Sequence, residues 1–291
     1  MKTNAIVRIV LYAFGGLILS GILLGILCYK SVISDRSIHY AEQDSIRTPV
    51  ESMEMAFPAD QINNIKIDWV AGNITIRRDD NADSIKISEI SPVTAKHHLI
   101  CKQSGQTLKI QFSEESIRFF GISDNSYISK DLLITVPANW KCGTLEVDTA
   151  ASVAEIYSLT IAELDYDGAS GTLLLDNCSI SELDIDTASG DVEFIGTLGE
   201  LSFDAASAKF YGEFFRVPNR LKMNTMSGDL EIILPEGSGF TLDLDTMSNS
   251  FDTDFEVGRY DESYICGDGA CEISIGSMSS DVTIHKGNRQ K

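Results

Sequence analysis

LDYDGASGTLLL from Leu164, LDIDTASGDVEF from Leu183 and LSFDAASAKFYG from Leu201 are three copies of one pattern. The frame continues in LEVDTAASVAEI from Leu145, LKMNTMSGDLEI from Leu221, LDLDTMSNSFDT from Leu242 and ISIGSMSSDVTI from Ile273. The steps between copies are 19, 19, 18, 20, 21 and 31 residues. Within a copy the apolar residues alternate. Leu183 and Ile185 share a face opposite Asp184 and Asp186, and Val192 and Phe194 resume the inward set after Thr187-Ala188-Ser189-Gly190 turns the chain. That is strand periodicity, and no apolar period of about 3.6 residues survives across the copies. Ser170-Gly171, Ser189-Gly190 and Ser227-Gly228 supply the small, permissive residues a tight corner needs. One copy cannot bury its inward residues alone; copies stacked at ~4.8 Å per layer bury a continuous apolar column. The repeat therefore predicts an all-β fold, a parallel β-solenoid of 19–21-residue coils, taken as a right-handed β-helix.

Upstream, Ile65-Lys66-Ile67-Asp68-Trp69-Val70-Ala71-Gly72-Asn73-Ile74-Thr75-Ile76 fits the same template. Ile85–Ile90, Leu108–Phe112 and Leu132–Val136 read as further strands, the last closed by Pro137. Their looser spacing predicts irregular first coils or a β-rich cap over 61–140, followed by regular repeats over 141–291. Terminal units of solenoids are expected to be atypical. The 31-residue step from Leu242 to Ile273 carries an insertion, Gly258–Ala270, expected as a loop on one face.

Further upstream, residues 31–60 hold few apolar side chains together with Pro49 and Pro58, and read as a stalk. Residues 1–30 read as an N-terminal anchor. Ile9 to Tyr29 is an uncharged apolar run bracketed by Arg8 and Lys30, long enough for one transmembrane helix to precede the solenoid. A cleaved signal peptide with Val32-Ile33-Ser34 as its site and a lipidated Cys28 are the competing readings. Gly21 and Gly25 form a small-xxx-small pair on the run, which would let the span meet other membrane helices.

The chain carries 23 Lys and Arg against 43 Asp and Glu, a net charge of −20. Such a polyanion excludes a nucleic-acid binder, which needs a basic face. A hydrophobic content of 43% excludes a disordered acidic tail. Stacking turns the charge into columns. The fourth residues of successive copies are Asp148, Asp167, Asp186, Asp204, Asn224, Asp245 and Gly276; the second are Glu146, Asp165, Asp184, Ser202, Lys222, Asp243 and Ser274. Like charges about 5 Å apart repel by roughly 0.8 kcal/mol even in water. Asp165, Asp167, Asp184, Asp186, Asp243 and Asp245 are therefore the candidate ligand site, for a cationic ligand or a weakly bound divalent cation. The competing reading is a solvated face. No Gly-Gly-x-Gly-x-Asp calcium repeat or EF-hand loop is present, and no cofactor is expected.

Catalytic and metal constellations are not expected. Ser170, Ser189, Ser207, Ser227, Ser248 and Ser279 form a ladder without a histidine in the repeats before His285, so the serines read as structural corners. Lys209 and Lys222 do not converge on one acid cluster, as a carbohydrate-active β-helix enzyme would require. His97, His98 and Cys101 are metal-ligand types, but adjacent histidines on a strand face opposite ways, and no zinc site is expected. Cys266-Gly-Asp-Gly-Ala-Cys271 has a turn signal at its centre and predicts a Cys266–Cys271 disulfide across a hairpin, which implies an oxidising, extracytoplasmic location. Cys142 and Cys178 lie two coils apart, about 9.6 Å by layer spacing, and are not expected to pair.

The DTASGDVEF-type repeat, preceded by the LLITVP strand at Leu132–Pro137, resembles the adhesin-type β-strand-repeat family of bacterial envelope proteins, to which LiaG-like proteins belong. The resemblance covers roughly residues 60–286. It implies a solenoid fold, an envelope location of the membrane-anchored kind, and an association with adhesion or envelope stress; the cysteine usage places the C-terminal domain outside the cell membrane. It brings no catalytic residues. The expected function is that of an anchored, extracytoplasmic binding or structural module with an acidic face, its partner an envelope protein, a cationic ligand or a glycan. An envelope carbohydrate-active enzyme and a regulator or scaffold of neighbouring membrane proteins are the alternatives.

Overall fold

The computed structural model describes residues 50–92, 98–112, 129–248 and 250–287. The chain enters on β1 (Val50–Pro58), a 3-10 turn at Ala59–Gln61, and β2 (Asn64–Asp79). It continues through β3 (Ser84–Pro92), β4 (Ile100–Ser104), β5 (Thr107–Gln111) and β6 (Asp131–Pro137). The repeats form β7 (Cys142–Tyr157), β8 (Thr160–Phe214), β9 (Arg220–Ser227), β10 (Leu230–Pro235), β11 (Phe240–Ser248) and β12 (Phe251–Thr253). After β13 (Gly258–Tyr260) and β14 (Ser263–Cys266), β15 (Cys271–Ser279) and β16 (Val282–Gly287) complete the described chain. All belong to one 16-stranded sheet.

Parallel winding follows the leucine frame. Ile65 pairs with Leu145, Leu145 with Leu164, and Leu201 with Leu221. Each coil has two arms separated by a corner; inward residues of the two arms meet across the core, as Phe203 and Phe210 do at 5.3 Å, and inward residues of adjacent coils stack, as Phe194 and Phe214 do at 5.4 Å between ring centres. Leu164, Leu175, Ile185, Phe194, Phe203, Leu221 and Ile232 are all buried. Burying such side chains at about 25 cal/mol per Å² of apolar surface is the main stabilising term, and it exists only because coils stack.

The corners depend on glycine at two adjoining layers. Gly171 and Gly190 hold φ of +136° and +138°, and a Cβ on either would collide with the backbone carbonyl of the layer beneath, Ser152 for Gly171 and Gly171 for Gly190. The chain crosses each corner with backbone resting on backbone, a geometry that glycine alone accepts without strain.

Several expectations are corrected. The leucine column does not run in sequence order at its C-terminal end. Ile273 pairs with Leu221 on one side and Leu242 on the other, so the seventh copy lies between the fifth and the sixth. The second arms repeat this, with Val282 between Leu230 and Phe251. The reason is the insertion: β14 returns antiparallel along the outer edge of β11, with β13 beyond it, so the chain re-enters on β11's inner side. Purely parallel pairing also fails at both ends, where β1/β3, β3/β6, β4/β5, β11/β14 and β13/β14 are antiparallel. These pairs cover the end coils, which would otherwise present a long open edge.

The C-terminal part of the expected stalk is strand β1, paired with β3 from Val50↔Pro92 to Pro58↔Ser84. Strand β2 runs in continuous register along β7, so the strands of the first coils stack directly on the repeats. Among the described residues the only helical element is the 3-10 turn, and no helix is long and apolar enough to cross a membrane. The fold class is corrected accordingly: the described chain is all-β without the expected preceding transmembrane helix, and Ile9–Tyr29 lies outside the described residues.

One buried polar cluster pins the first coils together. Lys130 Nζ donates to Glu89 Oε2 at 2.8 Å and to the Phe112 carbonyl, lies 4.1 Å from the centre of the Phe112 ring, and is fully enclosed. Glu89 also accepts from the Leu99 amide at 2.6 Å, and Trp69 Nε1 donates to the Lys130 carbonyl at 3.0 Å. Buried charges need such partners.

Candidate functional site

The first and third residues of each first arm point into the core, so the second and fourth face outward on a parallel sheet. Lys66 stands at the start of the outward columns, in register with Glu146, which is in register with Asp165. Its ammonium bonds to Glu146 and lies 3.3 Å from Asp148 Oδ2. Five layers on, Asn224 Nδ2 donates to Asp204 Oδ1 at 2.7 Å, with Lys222 at the second position of the same strand. Between these two ends stand Asp165, Asp167, Asp184 and Asp186.

Electrostatics reflects the crowding. Asp186 is pushed up to about 6, first by partial burial and then by Asp204, Asp184, Asp167 and Asp165. Asp165 is raised by partial burial and then by Asp167, Asp184, Glu146 and Asp148; Asp167 by partial burial and then by Asp148, Asp184 and Glu146, with Lys66 opposing. Like charges in adjacent strands disfavour the ionised state, and an arriving cation relieves that strain.

A third column, one residue before each leucine, was missed in the sequence. Glu163, Glu182 and Glu200 lead to Arg220, whose guanidinium lies 3.6 Å from Glu200 Oε2 and 3.3 Å from Glu272 Oε2. With Asp184, Ser202 and Lys222 they line an open depression of about 270 Å³. The same leucine alignment, read one position earlier, would have found it.

Of the six expected site aspartates, four are brought together and two are not. Asp243 pairs with Ser274 and Asp245 with Gly276, so β15 stands between them and the other carboxylates. The out-of-order last coil is the cause. Asp243 instead accepts a hydrogen bond from Ser263. Among the described residues no three histidine, cysteine or carboxylate groups converge in a way that could hold a metal ion.

The remaining candidates are structural. Ser227 Oγ meets Ser207 Oγ at 3.2 Å and Ser170 Oγ donates to the Ala150 carbonyl, tying corner to corner. His98 faces the buried Glu89 at 3.2 Å, Cys101 pairs across to Ile110, and His97 lies outside the described residues. The Cys266–Cys271 disulfide is corrected: both thiols are free. Phe240 of β11 pairs with Cys266 on one edge and with Cys271 on the other. Two strand spacings, about 9.6 Å, separate the cysteines, beyond the ~7 Å limit for a bridge.

The family described as Toastrack DUF4097 matches residues 62–285. No curated protein matches the chain. Solved structures resemble the chain at low identity. A "putative adhesin" from Bacteroides fragilis is 14% identical, covering 80% of this chain and 97% of its own, with a TM-score of 0.47. A "putative lipid binding protein" from Parabacteroides distasonis is 15% identical, covering 83% and 98%, with a TM-score of 0.35. A "putative cell adhesion protein" from Clostridium sporogenes is 9% identical, covering 82% and 100%, with a TM-score of 0.34.

Proposed function

We propose that this chain, which belongs to the Toastrack DUF4097 family, works as a rigid, non-catalytic binding module whose outward carboxylate columns receive a polycationic ligand. The observation that carries the reading is the run Asp165, Asp167, Asp184 and Asp186, bounded by Lys66 and Asn224, with Asp186 pushed up to about 6 by partial burial and then by its neighbours. Each of these carboxylates is one of a series in equivalent settings. Such a series suits recognition of a row of positive charges, and Asp186, the one carboxylate pushed up to about 6, has no histidine or second catalytic group converging on it among the described residues. The strand framework fixes the spacing, so little ordering entropy opposes binding.

Extracytoplasmic placement at the cell envelope is part of the proposal and rests on the family resemblance alone, since the disulfide that would have supported it does not form. Labelling of intact cells with a membrane-impermeant amine reagent tests the placement.

Titration calorimetry with spermine and with pentalysine tests the ligand class. The expected result is binding that weakens steeply with salt and falls at least tenfold in the Asp165→Asn/Asp167→Asn/Asp184→Asn/Asp186→Asn variant. Equal binding by that variant would remove the carboxylate columns as the receiving surface.

A further inference from the structure

The coil built from β15 and β16 occupies a slot whose two walls are made by earlier parts of the chain. β15 is hydrogen-bonded to β9 along Glu272↔Arg220 through Ser279↔Ser227 and to β11 along Cys271↔Phe240 through Ser279↔Ser248. β16 lies likewise between β10 and β12. Without this segment, β9 and β11 would stand two spacings apart, about 9.6 Å, with facing rows of unmatched N–H and C=O groups. Both walls and the filling strand carry the same repeat, so any copy of segment 271–287 fits them in the same register.

The connection into the slot is a tight hinge. Gly267 and Gly269 hold φ of +56° and +70°, the Gly269 amide donates to the Cys266 carbonyl at 3.0 Å, and Asp268 Oδ1 caps the Ala270 amide at 3.2 Å. The turn packs on Gly239, whose carbonyl accepts from the Cys271 amide at 3.1 Å. Released into extended conformation, each hinge residue spans about 3.3–3.6 Å, and both glycines leave the left-handed region. Short, constrained hinges next to a displaceable element favour exchange between identical chains, because every native contact is reformed.

We propose that the slot between β9/β10 and β11/β12 is a strand-acceptor site whose second occupant is the β15–β16 segment of another copy of this chain, giving a reciprocal, closed dimer. It does not depend on the acidic columns or on their ligand.

The full chain tests this by cross-linking. Lys222 and Ser274 are exposed neighbours in adjacent strands. Chains carrying Lys222→Cys and chains carrying Ser274→Cys, distinguished by a mass tag, are unfolded, mixed, refolded together and oxidised. Exchange yields a 222–274 bridge between differently tagged chains, in excess over like-chain bridges and increasing with protein concentration. The double variant reports the unexchanged state as a bridge within one chain. Gly269→Val cannot hold a left-handed φ without strain, and it is expected to raise the exchanged share at least threefold at equal concentration. A within-chain bridge in the double variant with no mixed-chain product at any concentration overturns the proposal. Absence of both bridges overturns the slot itself, with circular dichroism confirming that the variants are folded.

Discussion

Lys130 Nζ and Glu89 Oε2 meet at 2.8 Å with each side chain only 1% exposed, and their pairing ties the strand region before β6 to β3. Burial pushes the lysine's pKa down, and the partner carboxylate opposes that shift. Glu89→Gln or Lys130→Met removes one half of this buried ion pair and is expected to destabilise the fold by about 3–5 kcal/mol. The double variant is expected to recover a large part of that loss. Urea unfolding of the three variants checks the ordering, and a double variant no better than the singles would contradict it.

Acidification offers a second prediction. Asp186 titrates near 6 in the folded chain against an ordinary 3.8, so the folded state binds more protons between those values. Its contribution to stability is full below the lower value and is lost as pH rises through the upper one. The melting temperature is therefore expected to rise between pH 8 and pH 5. Asp186→Asn should raise it at pH 8, by about 0.5 kcal/mol equivalent, and flatten the pH dependence. Added salt at pH 8 should act in the same direction by screening the columns.

Corner packing gives a third. Gly190→Ala places a methyl group against the Gly171 carbonyl at a φ of +138°. A loss of about 2–3 kcal/mol is expected. Gly237, also left-handed but with open space around it, should lose less on the same change. Thermal denaturation of the two variants side by side measures the difference.

Thiol chemistry gives a fourth. Burial raises Cys142 and Cys271 to about 12 and Cys178 to about 11, so few thiolates exist near neutrality. Iodoacetamide is expected to modify these three slowly in the native protein and rapidly in denaturant. Intact mass should not change on reduction, and a gain of two hydrogens localised to Cys266 and Cys271 would contradict the free thiols.

Much of the winding was legible because alternation and a fixed step are local signals. Leu145, Leu164, Leu201 and Leu221 fell into their observed column from spacing alone, and Ile65 joined it from pattern alone. Layer order was not legible. Ile273 matches Leu221 as well as it matches Leu242, so nothing in the repeat says which neighbour it takes; that is decided by β14 covering β11 from outside. The same ambiguity misplaced Asp243 and Asp245. Strand β1 was readable in principle, since Met53, Met55 and Phe57 alternate with Glu54 and Ala56, but its few apolar residues and Pro58 suggested a stalk. Asp268-Gly269 did signal a turn, and the turn is there. Its arms, though, belong to strands separated by a third, which spacing between cysteines cannot reveal. The Glu89–Lys130 pair left no periodic trace.

Vectorial synthesis meets an obstacle in this layer order. The first five coils can zip onto one another as they leave the ribosome, each finding its partner already in place. The sixth cannot, because the strand that must lie beneath it has not yet been made. It has to wait with one flank bare until residues 271–287 arrive, so completion of the winding is an act of backfilling, and the nascent protein is most open to rescue or to capture by a sibling in that interval.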